Sequence, residues 1–264
     1  MMKKLHINLR VPDAQMLALI VMVHGIGEHG GCYEELAEKF VAQSAGFLTF
    51  DMRGHGRSPG IRGHASLNDI MNDIRFIINE IQKKYPNIPI VLLGHSLGGQ
   101  IALNYAFDKD VAAHAVIASS PWLKLQHPPH TMVVNLAKWA SLFAPWLSVK
   151  TGVKAEQLSQ NDANTKSTKT DPLLHKKISV KLFYDMYTNG EKITRSKHQP
   201  KIPVLIMHGN ADTLISFETS KTFAKNNLKD VEFKEWHEMR HNLLYDNDVF
   251  KYVIKWLNLW NLEQ

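Results

Sequence analysis

One serine of the chain lies where its hydroxyl can act as a nucleophile. Ser96 is the middle residue of a Gly-His-Ser-Leu-Gly sequence between the predicted strand Ile88–Leu93 and a predicted helix over residues 97–107. Such a junction holds the serine on a sharp turn above a sheet edge, and Gly94 and Gly98 let the strand and helix approach each other. The motif predicts covalent catalysis by Ser96, and the alternative is a glycine-rich turn with an incidental serine.

A serine nucleophile needs a base, and the base needs a group that orients it. Asp212 ends a tight turn after the predicted strand Pro203–Met207, and His241 lies in the loop after the next predicted strand, Val231–Phe233. Both residues follow Ser96 in the order Ser, Asp, His, each just past a strand. We therefore predict Ser96, Asp212 and His241 as a catalytic triad.

Other histidines and acids offer alternatives. His237 lies four residues before the predicted base and is a rival for that role, whereas His208, at a strand end, is predicted to be a packed histidine. Asp51 follows an earlier strand and is out of order for the triad acid. The sequence has no His-Glu-X-X-His motif, and a rigid Pro-Pro pair separates His127 from His130, so we expect no metal site.

Attack on a carbonyl also requires backbone amides that stabilise the resulting oxyanion. We expect one amide from Leu97, directly after the nucleophile, and a second from the loop after the apolar run Leu17–Val23. The amide of Ile26 is our candidate in that loop, where the alternative is a purely structural turn.

The same loop raises a rival from another enzyme class. Residues 25–30 match the Gly-X-Gly-X-X-Gly fingerprint of dinucleotide-binding proteins, and Asp51 ends the next strand. However, the pair Gly30-Gly31 delays the following helix to about Tyr33, so its N-terminus would not meet a pyrophosphate. An NAD-dependent oxidoreductase is therefore a remote alternative.

The pattern of predicted strands and helices that position these residues indicates an α/β fold. Short apolar runs alternate with helical patterns, as in a mostly parallel sheet with helices on both faces. The predicted strands are Leu17–Val23, Phe47–Phe50, Ile88–Leu93, Ala112–Ala118, Pro203–Met207 and Val231–Phe233. Ser66 can cap a helix that Pro86 ends, and a terminal helix carries an apolar stripe from Phe250 to Trp260.

This alternation breaks between Pro121 and Pro200. The stretch contains a Trp- and Leu-bearing helical segment and then a polar run, and it is too long for a loop and too irregular for another strand–helix unit. We predict a cap, or lid, at residues 121–200, inserted into a core formed by residues 1–120 and 201–264.

The composition is that of an ordinary globular enzyme, with 44% hydrophobic and 21% charged residues. No apolar run approaches the roughly 20 residues that a membrane span needs. Residues 5–10 alternate apolar with polar side chains, so we predict no signal peptide and a cytoplasmic location. The single cysteine, Cys32, excludes an internal disulfide.

The formal net charge of +6 comes from one segment. Residues 150–201 hold eleven Lys and Arg against five Asp and Glu, without the interleaving of basic and aromatic residues expected of a nucleic-acid surface. We interpret the segment as a solvated basic face and expect no nucleic-acid partner. Attraction to an anionic lipid surface or substrate is the alternative.

Three motifs together carry a family resemblance. His24–His29, residues 51–60 (Asp-Met-Arg-Gly-His-Gly-Arg-Ser-Pro-Gly) and Gly94–Gly99 resemble those of the monoacylglycerol lipase/lysophospholipase group of α/β-hydrolases, also grouped as serine aminopeptidase-like. The resemblance spans about residues 19–257. It implies the α/β-hydrolase fold with a helical cap, and hydrolysis of an acylglycerol or similar lipid ester without a cofactor. Carried over to this chain, it assigns Ser96, Asp212 and His241 to the triad, and Ile26 and Leu97 to the oxyanion hole.

Two departures from the family pattern matter. The segment before Leu17 is short, so an early antiparallel strand is expected to be missing or truncated. Cys32 stands where the family usually has arginine, near Glu28, in the loop expected to hold the polar head of the substrate. Without that arginine, we expect Glu28 to be solvated or paired with another group, such as Arg57 or a cap lysine, unless it merely caps the following helix.

The first half of the cap has more large apolar side chains than one small helical layer can bury in itself. We expect some to line an acyl tunnel and others to face lipid, giving transient, peripheral membrane contact. The alternative is that all of them pack on the core. The predicted substrate-binding residues are Glu28, Trp122, Leu123, Trp139 and Phe143.

Other hydrolases would share the triad. A carboxylesterase or thioesterase acting on small soluble esters would need every one of the predicted catalytic residues. A peptidase would need an acidic cluster near the site to hold the substrate amine, and the cap sequence shows none.

Overall fold

The computed structural model describes residues 5–158, 171–196, 198–226 and 231–259. The strands are Ile7–Arg10 (β1), Ala18–Val23 (β2), Ala45–Phe50 (β3), Ile90–His95 (β4), Ala115–Ser119 (β5), Ser148–Lys150 (β6), Lys177–Ser179 (β7), Val204–Gly209 (β8) and Val231–Trp236 (β9). The helices are Glu34–Ala42 (α1), Leu67–Lys84 (α2), Leu97–Ala106 (α3), Thr131–Phe143 (α4), Ala155–Leu158 (α5), Val180–Arg195 (α6), Phe217–Asn226 (α7) and Asn247–Leu259 (α8), with a 3₁₀ helix at Gly30–Tyr33.

Seven strands of the described chain form one sheet in the order β1-β3-β2-β4-β5-β8-β9. Only β1 is antiparallel to its neighbour, with Ile7 opposite Phe50, and the remaining pairs in this sheet are parallel. The central strands are buried along their whole length, which explains their continuous apolar sequences. These observations confirm the predicted α/β class and its six core strands. The short β1 is the one strand of the sheet that precedes β2.

Helices cover both faces of the sheet because successive strand residues point to opposite sides. Leu19, Val21 and Val23 of β2 pack in the cluster that includes α2, α3 and α7. Ile20 and Met22 pack in a second cluster with α1 and α8. The sheet is therefore the middle of three layers, and the carboxyl ends of its parallel strands lie along one edge.

The predicted helix after Ser66 is confirmed. The hydroxyl oxygen of Ser66 accepts a hydrogen bond from the Asp69 amide at 3.1 Å, and α2 ends at Lys84, just before Pro86. The terminal helix is described as far as Leu259, so the predicted apolar position Trp260 lies outside the described residues.

Between β5 and β8 the chain leaves the sheet. Here α4 packs against α6, and β6 pairs with β7 in a separate two-stranded sheet. We take this part of the chain as the proposed cap.

Hydrogen bonds from the core hold these elements over the carboxyl edge of the sheet. The buried amide of Gln100 on α3 donates to the Met186 carbonyl of α6 at 2.8 Å. His29 bonds the Asp171 carboxylate at 2.9 Å, and the His175 amide donates to the Gly27 carbonyl at 3.0 Å. The loop after β2 and helix α3 thus hold the proposed cap above the predicted site.

Candidate active site

Ser96 lies on a sharp turn between β4 and α3. Its backbone has φ of 55° and ψ of −114°, a conformation that a non-glycine residue adopts only under local constraint. A side chain at Gly94 would place its Cβ 2.1 Å from the Gly98 carbonyl oxygen, and one at Gly98 would place it 2.0 Å from that of Val23. The flanking glycines are therefore required by the close approach of strand, turn and helix, as the motif predicted.

Asp212 follows β8 and is held by four hydrogen bonds. Its Oδ1 accepts the amides of Leu214 and Ile215 at 2.8 and 3.0 Å, and its Oδ2 contacts His241 Nδ1 at 2.6 Å and His208 Nε2 at 3.1 Å. Burial alone would raise the pKa of this carboxyl, but attraction to His241 and the hydrogen bonds from both histidines outweigh it and hold the pKa well below its ordinary value. The side chain is therefore an anion at neutral pH.

His241 follows β9 and is nearly inaccessible to solvent, at 3% exposure. Its Nδ1 is engaged by Asp212, which leaves Nε2 as the ring nitrogen that can serve as a base. Both His241 and Ser96 line the same cavity. The structure thus joins Asp212 to His241 and places His241 and Ser96 on one cavity, whereas the rival base His237 is exposed in the turn after β9.

Two residues near His241 were not predicted from the sequence. The Ser120 hydroxyl, just past β5, donates to the His241 carbonyl at 2.8 Å and so fixes the backbone of that loop. The His95 ring lies 4.9 Å from that of His241, and its Nε2 contacts the Asn242 side chain at 3.1 Å. Burial and the neighbouring His241 lower the pKa of His95 to about 4. His95 is therefore neutral at physiological pH.

His208 was predicted only as a packed histidine. It is fully buried, as expected, but it also contacts the triad acid. Its position four residues before Asp212, at the end of the same strand, is the sequence signal for this contact.

The predicted oxyanion donors lie just after β2 and at the start of α3. Ile26 lines the cavity just after β2, and Leu97 is the first residue of α3. The first amides of a helix have no partner inside the helix, so the N-terminus of α3 offers donors beside Ser96. The assignment of Ile26 and Leu97 stays a prediction.

A cavity of about 1300 Å³ lies between the sheet edge and the cap. From α4 it is lined by residues three and four apart, Val133, Leu136, Ala137 and Ala140, which form one face of the helix. The end near the β2 loop is more polar and includes Glu28 and Tyr245. Such a cavity can hold a long apolar chain with a polar group at one end.

The structure divides the predicted substrate-binding residues. Trp122 and Glu28 line the cavity, whereas Leu123 is packed in the hydrophobic core. Trp139 and Phe143 are 59% and 77% exposed and stack on each other on the outer side of α4. The sequence of α4 does not reveal how the helix is rotated, so it could not separate the residues that line the cavity from the exposed ones.

Glu28 is bound differently from our expectation. Its Oε2 accepts the Gly25 amide at 2.8 Å and the Tyr33 hydroxyl at 2.6 Å, so pairing with Arg57 or a lysine was a wrong prediction. Burial opposes ionisation of Glu28, but His95, the Tyr33 hydroxyl and the Gly25 amide outweigh it and lower its pKa. The partners are neutral groups only a few residues away.

Cys32 lies beside this carboxylate and lines the cavity. Burial and the charge of Glu28 raise the pKa of its thiol to about 12. Cys32 is therefore a neutral, weakly polar group where the family usually has a cation.

The fingerprint of a dinucleotide site has another explanation here. The Asp51 carboxylate accepts the Gly30 and Arg57 amides, both at 2.7 Å, and so joins two loops of the core. Asp51 therefore has a structural role, and the remote oxidoreductase alternative loses the acidic residue that would bind a ribose. Within the described ranges, no group of three or more His, Cys, Asp or Glu side chains is arranged to hold a metal ion.

Comparison with known proteins extends over nearly the whole chain. Residues 14–248 match the family model described as serine aminopeptidase, S33. A Dictyostelium discoideum abhydrolase domain-containing protein, described as uncharacterized, is 28% identical over 93% of this chain, which spans only 27% of that relative. Human monoglyceride lipase is 30% identical over 94% of this chain and 84% of its own length. The crystal structure of Paleococcus ferrophilus monoacylglycerol lipase is 32% identical, with a TM-score of 0.90 over 98% of this chain and 100% of its own.

Proposed function

The chain belongs to the serine aminopeptidase S33 family of α/β-hydrolases, and from this premise we propose that it is a monoacylglycerol lipase whose nucleophile is Ser96. It is a carboxylic ester hydrolase that acts on lipid esters. The observation that carries the proposal is that His241, held by Asp212, lines a largely apolar cavity beneath the proposed cap together with Ser96.

In the proposed reaction, the Ser96 oxygen attacks the ester carbonyl while His241 Nε2 takes the hydroxyl proton. Asp212 holds the imidazole in the tautomer with a proton on Nδ1 and stabilises its cation. The amides of Ile26 and Leu97 stabilise the oxyanion. His241 then protonates the departing alcohol, and a water molecule activated by the same nitrogen releases the fatty acid and restores Ser96.

The two parts of the proposed substrate are assigned to different regions of the cavity. The apolar wall formed by α4 and Trp122 suits the acyl chain, because each methylene transferred from water contributes about 0.8 kcal/mol. The polar end, with Glu28, suits the glycerol hydroxyls. Glu28 already accepts two hydrogen bonds through Oε2, which fixes its carboxylate for further acceptance without the family's usual arginine.

The described residues include no helix long and apolar enough to cross a membrane. We propose instead a peripheral contact through one face of α4. Met132, Leu136, Trp139 and Phe143 recur at helical spacing, and each is more than half exposed. Leu136 also lines the cavity, so this apolar stripe borders the space that would receive the lipid.

The family's peptidase name suggests a second function, but the charges of the cavity do not favour it. Four acidic residues line the cavity, of which only the last lies in the proposed cap: Glu28, Glu34, Glu35 and Asp171. Each is engaged within the protein, by Tyr33, Arg10, Lys39 and His29 respectively. These carboxylates are therefore not a ready site for a substrate amine.

A series of chromogenic esters from C2 to C12, with a monoacylglycerol beside them, tests the proposed function. We expect kcat/KM to rise from C2 to C8, because the apolar wall contributes more with each methylene. Hydrolysis of the monoacylglycerol should also be abolished in Ser96→Ala. A flat or falling profile would instead support an esterase or thioesterase for small soluble esters.

A further inference from the structure

A second buried histidine extends the chain of hydrogen bonds that begins at His241. His208, at the end of β8, contacts Asp212 Oδ2 at 3.1 Å through Nε2 and Ser220 of α7 at 2.9 Å through Nδ1. His208 and Ser220 are fully buried. The ring of Phe217, also on α7, lies edge-on to His208 at 5.8 Å.

The direction of each hydrogen bond in this chain follows from the chemistry of the groups. The Asp212 carboxylate can only accept, so His208 must carry its proton on Nε2 and donate it. Nδ1 of a neutral imidazole is then an acceptor, and the Ser220 hydroxyl donates to it. Burial lowers the pKa of His208, although Asp212 opposes this, so the ring stays neutral. One tautomer of His208 satisfies every polar atom in the chain.

The contact falls on the oxygen that His241 uses. Asp212 Oδ1 is occupied by the Leu214 and Ile215 amides, so His208 and His241 share Oδ2. A donor on this oxygen fixes the carboxylate plane and also draws electron density away from the contact with His241. Packing alone requires no such donor at this position.

We propose that His208, oriented by Ser220, is a positioning residue that holds Asp212 in place and tunes the basicity of His241. This role rests on the proposed triad and acts through Asp212, without contact between His208 and the substrate. His208 competes for the charge of Asp212, and so limits how strongly that charge stabilises the His241 cation. Without the donor, the cation is favoured more, and the neutral base appears only at higher pH.

Four other titratable groups lie around His241. Asp212 lies on one side of the ring, with His208 beyond it, and His95 of β4 lies on the other. Glu28 lies beyond His95 and is an anion, since its pKa is lowered. The pKa of His95 is about 4, so His95 does not change its charge near neutral pH.

The experiment compares His208→Phe, which keeps a ring but removes the donor, with His208→Gln, whose amide nitrogen reaches the position of Nε2. Ser220→Ala removes only the hydroxyl that donates to His208 Nδ1. His55→Phe is a matched control, since His55 is also fully buried but contacts His24 and His175. The readout is the rate of fluorophosphonate labelling from pH 5 to 9, together with kcat/KM for a C8 ester and the melting temperature of each protein.

We expect His208→Phe to raise the apparent pKa of the acid limb by about half a unit or more, and to lower kcat/KM about tenfold through loss of orientation. His208→Gln should return the limb to the wild-type pH, with kcat/KM within about threefold. Ser220→Ala should lie between the two, and His55→Phe should leave the limb unmoved.

Two results would overturn the proposal. One is an acid limb in His208→Phe at the wild-type pH. The other is an equal shift in His208→Phe and His208→Gln, because His208 would then act through packing alone. If His208→Phe does not fold, His208→Gln with a wild-type limb and Ser220→Ala with a shifted one support the proposal, and an unshifted Ser220→Ala contradicts it. Failure of the proposed triad is separate, since wild-type Ser96 would then remain unlabelled at every pH, and failure of the proposed substrate class would show as a flat chain-length profile with Ser96 still labelled.

Discussion

At the scale of single residues, two carboxylates of the active-site loops are held by hydrogen bonds from inside the protein. Asp212 accepts four hydrogen bonds, and Glu28 accepts two through one oxygen. Both carboxyls have a lowered pKa, so the folded protein favours their anions. Their contribution to stability is therefore coupled to pH.

Glu28→Gln tests this coupling outside the triad. A lowered pKa in the folded state stabilises the protein above the carboxyl's ordinary pKa, and this contribution is lost as pH falls through the folded value. We expect the substitution to lower the free energy of unfolding at pH 7 by about 1–2 kcal/mol. The difference between the two proteins should become smaller towards pH 3. Urea unfolding of both proteins at several pH values measures this difference. A gap that stays constant with pH would contradict the lowered pKa.

At the scale of elements, α4 presents two different apolar faces. One lines the cavity through Ala137 and Ala140, and the other exposes Trp139 and Phe143. The apolar composition of the cap was evident from the sequence. The division between cavity and surface was not, because it depends on how α4 is rotated against α6.

The cavity face predicts a change in chain-length preference. Ala137 is buried and borders the cavity, so Ala137→Phe should fill part of the space for the acyl chain. We expect kcat/KM for a C8 or longer ester to fall about tenfold or more, since overpacking and lost burial both act there. The C2 ester is the internal control and should change little. An equal loss for C2 and C8 would show that the chain binds elsewhere.

The outer face predicts an effect on lipid surfaces alone. In the double variant Trp139→Ser and Phe143→Ser, we expect weaker binding to anionic phospholipid vesicles in a sedimentation assay, because exposed aromatic area drives insertion into the interface. Hydrolysis of a soluble C4 ester should be unchanged. Phe76→Ser, which removes an exposed aromatic residue of α2, is the matched control and should bind like the wild type. Unchanged binding by the double variant would remove α4 from the proposed membrane contact.

At the scale of the whole molecule, the sequence predicted the framework better than the surfaces. The buried parallel strands and the turn at Ser96 were predictable because each depends on a short segment with one strong physical constraint, continuous burial or crowding at Gly94 and Gly98. The partners of Glu28 and the second histidine on Asp212 depend on side chains brought together by folding. Tyr33 donates to Glu28 only because the 3₁₀ turn at Gly30–Tyr33 folds back over the β2 loop.

The central claim is that Ser96 is the nucleophile of a lipid ester hydrolase. Labelling with a fluorophosphonate, followed by peptide mass spectrometry, tests it most directly, because only an activated serine reacts rapidly. We predict a single adduct on Ser96, none in Ser96→Ala, and slower labelling when a monoacylglycerol is present as competitor. A folded wild-type protein that stays unlabelled, or that is labelled at a different serine, would contradict the account.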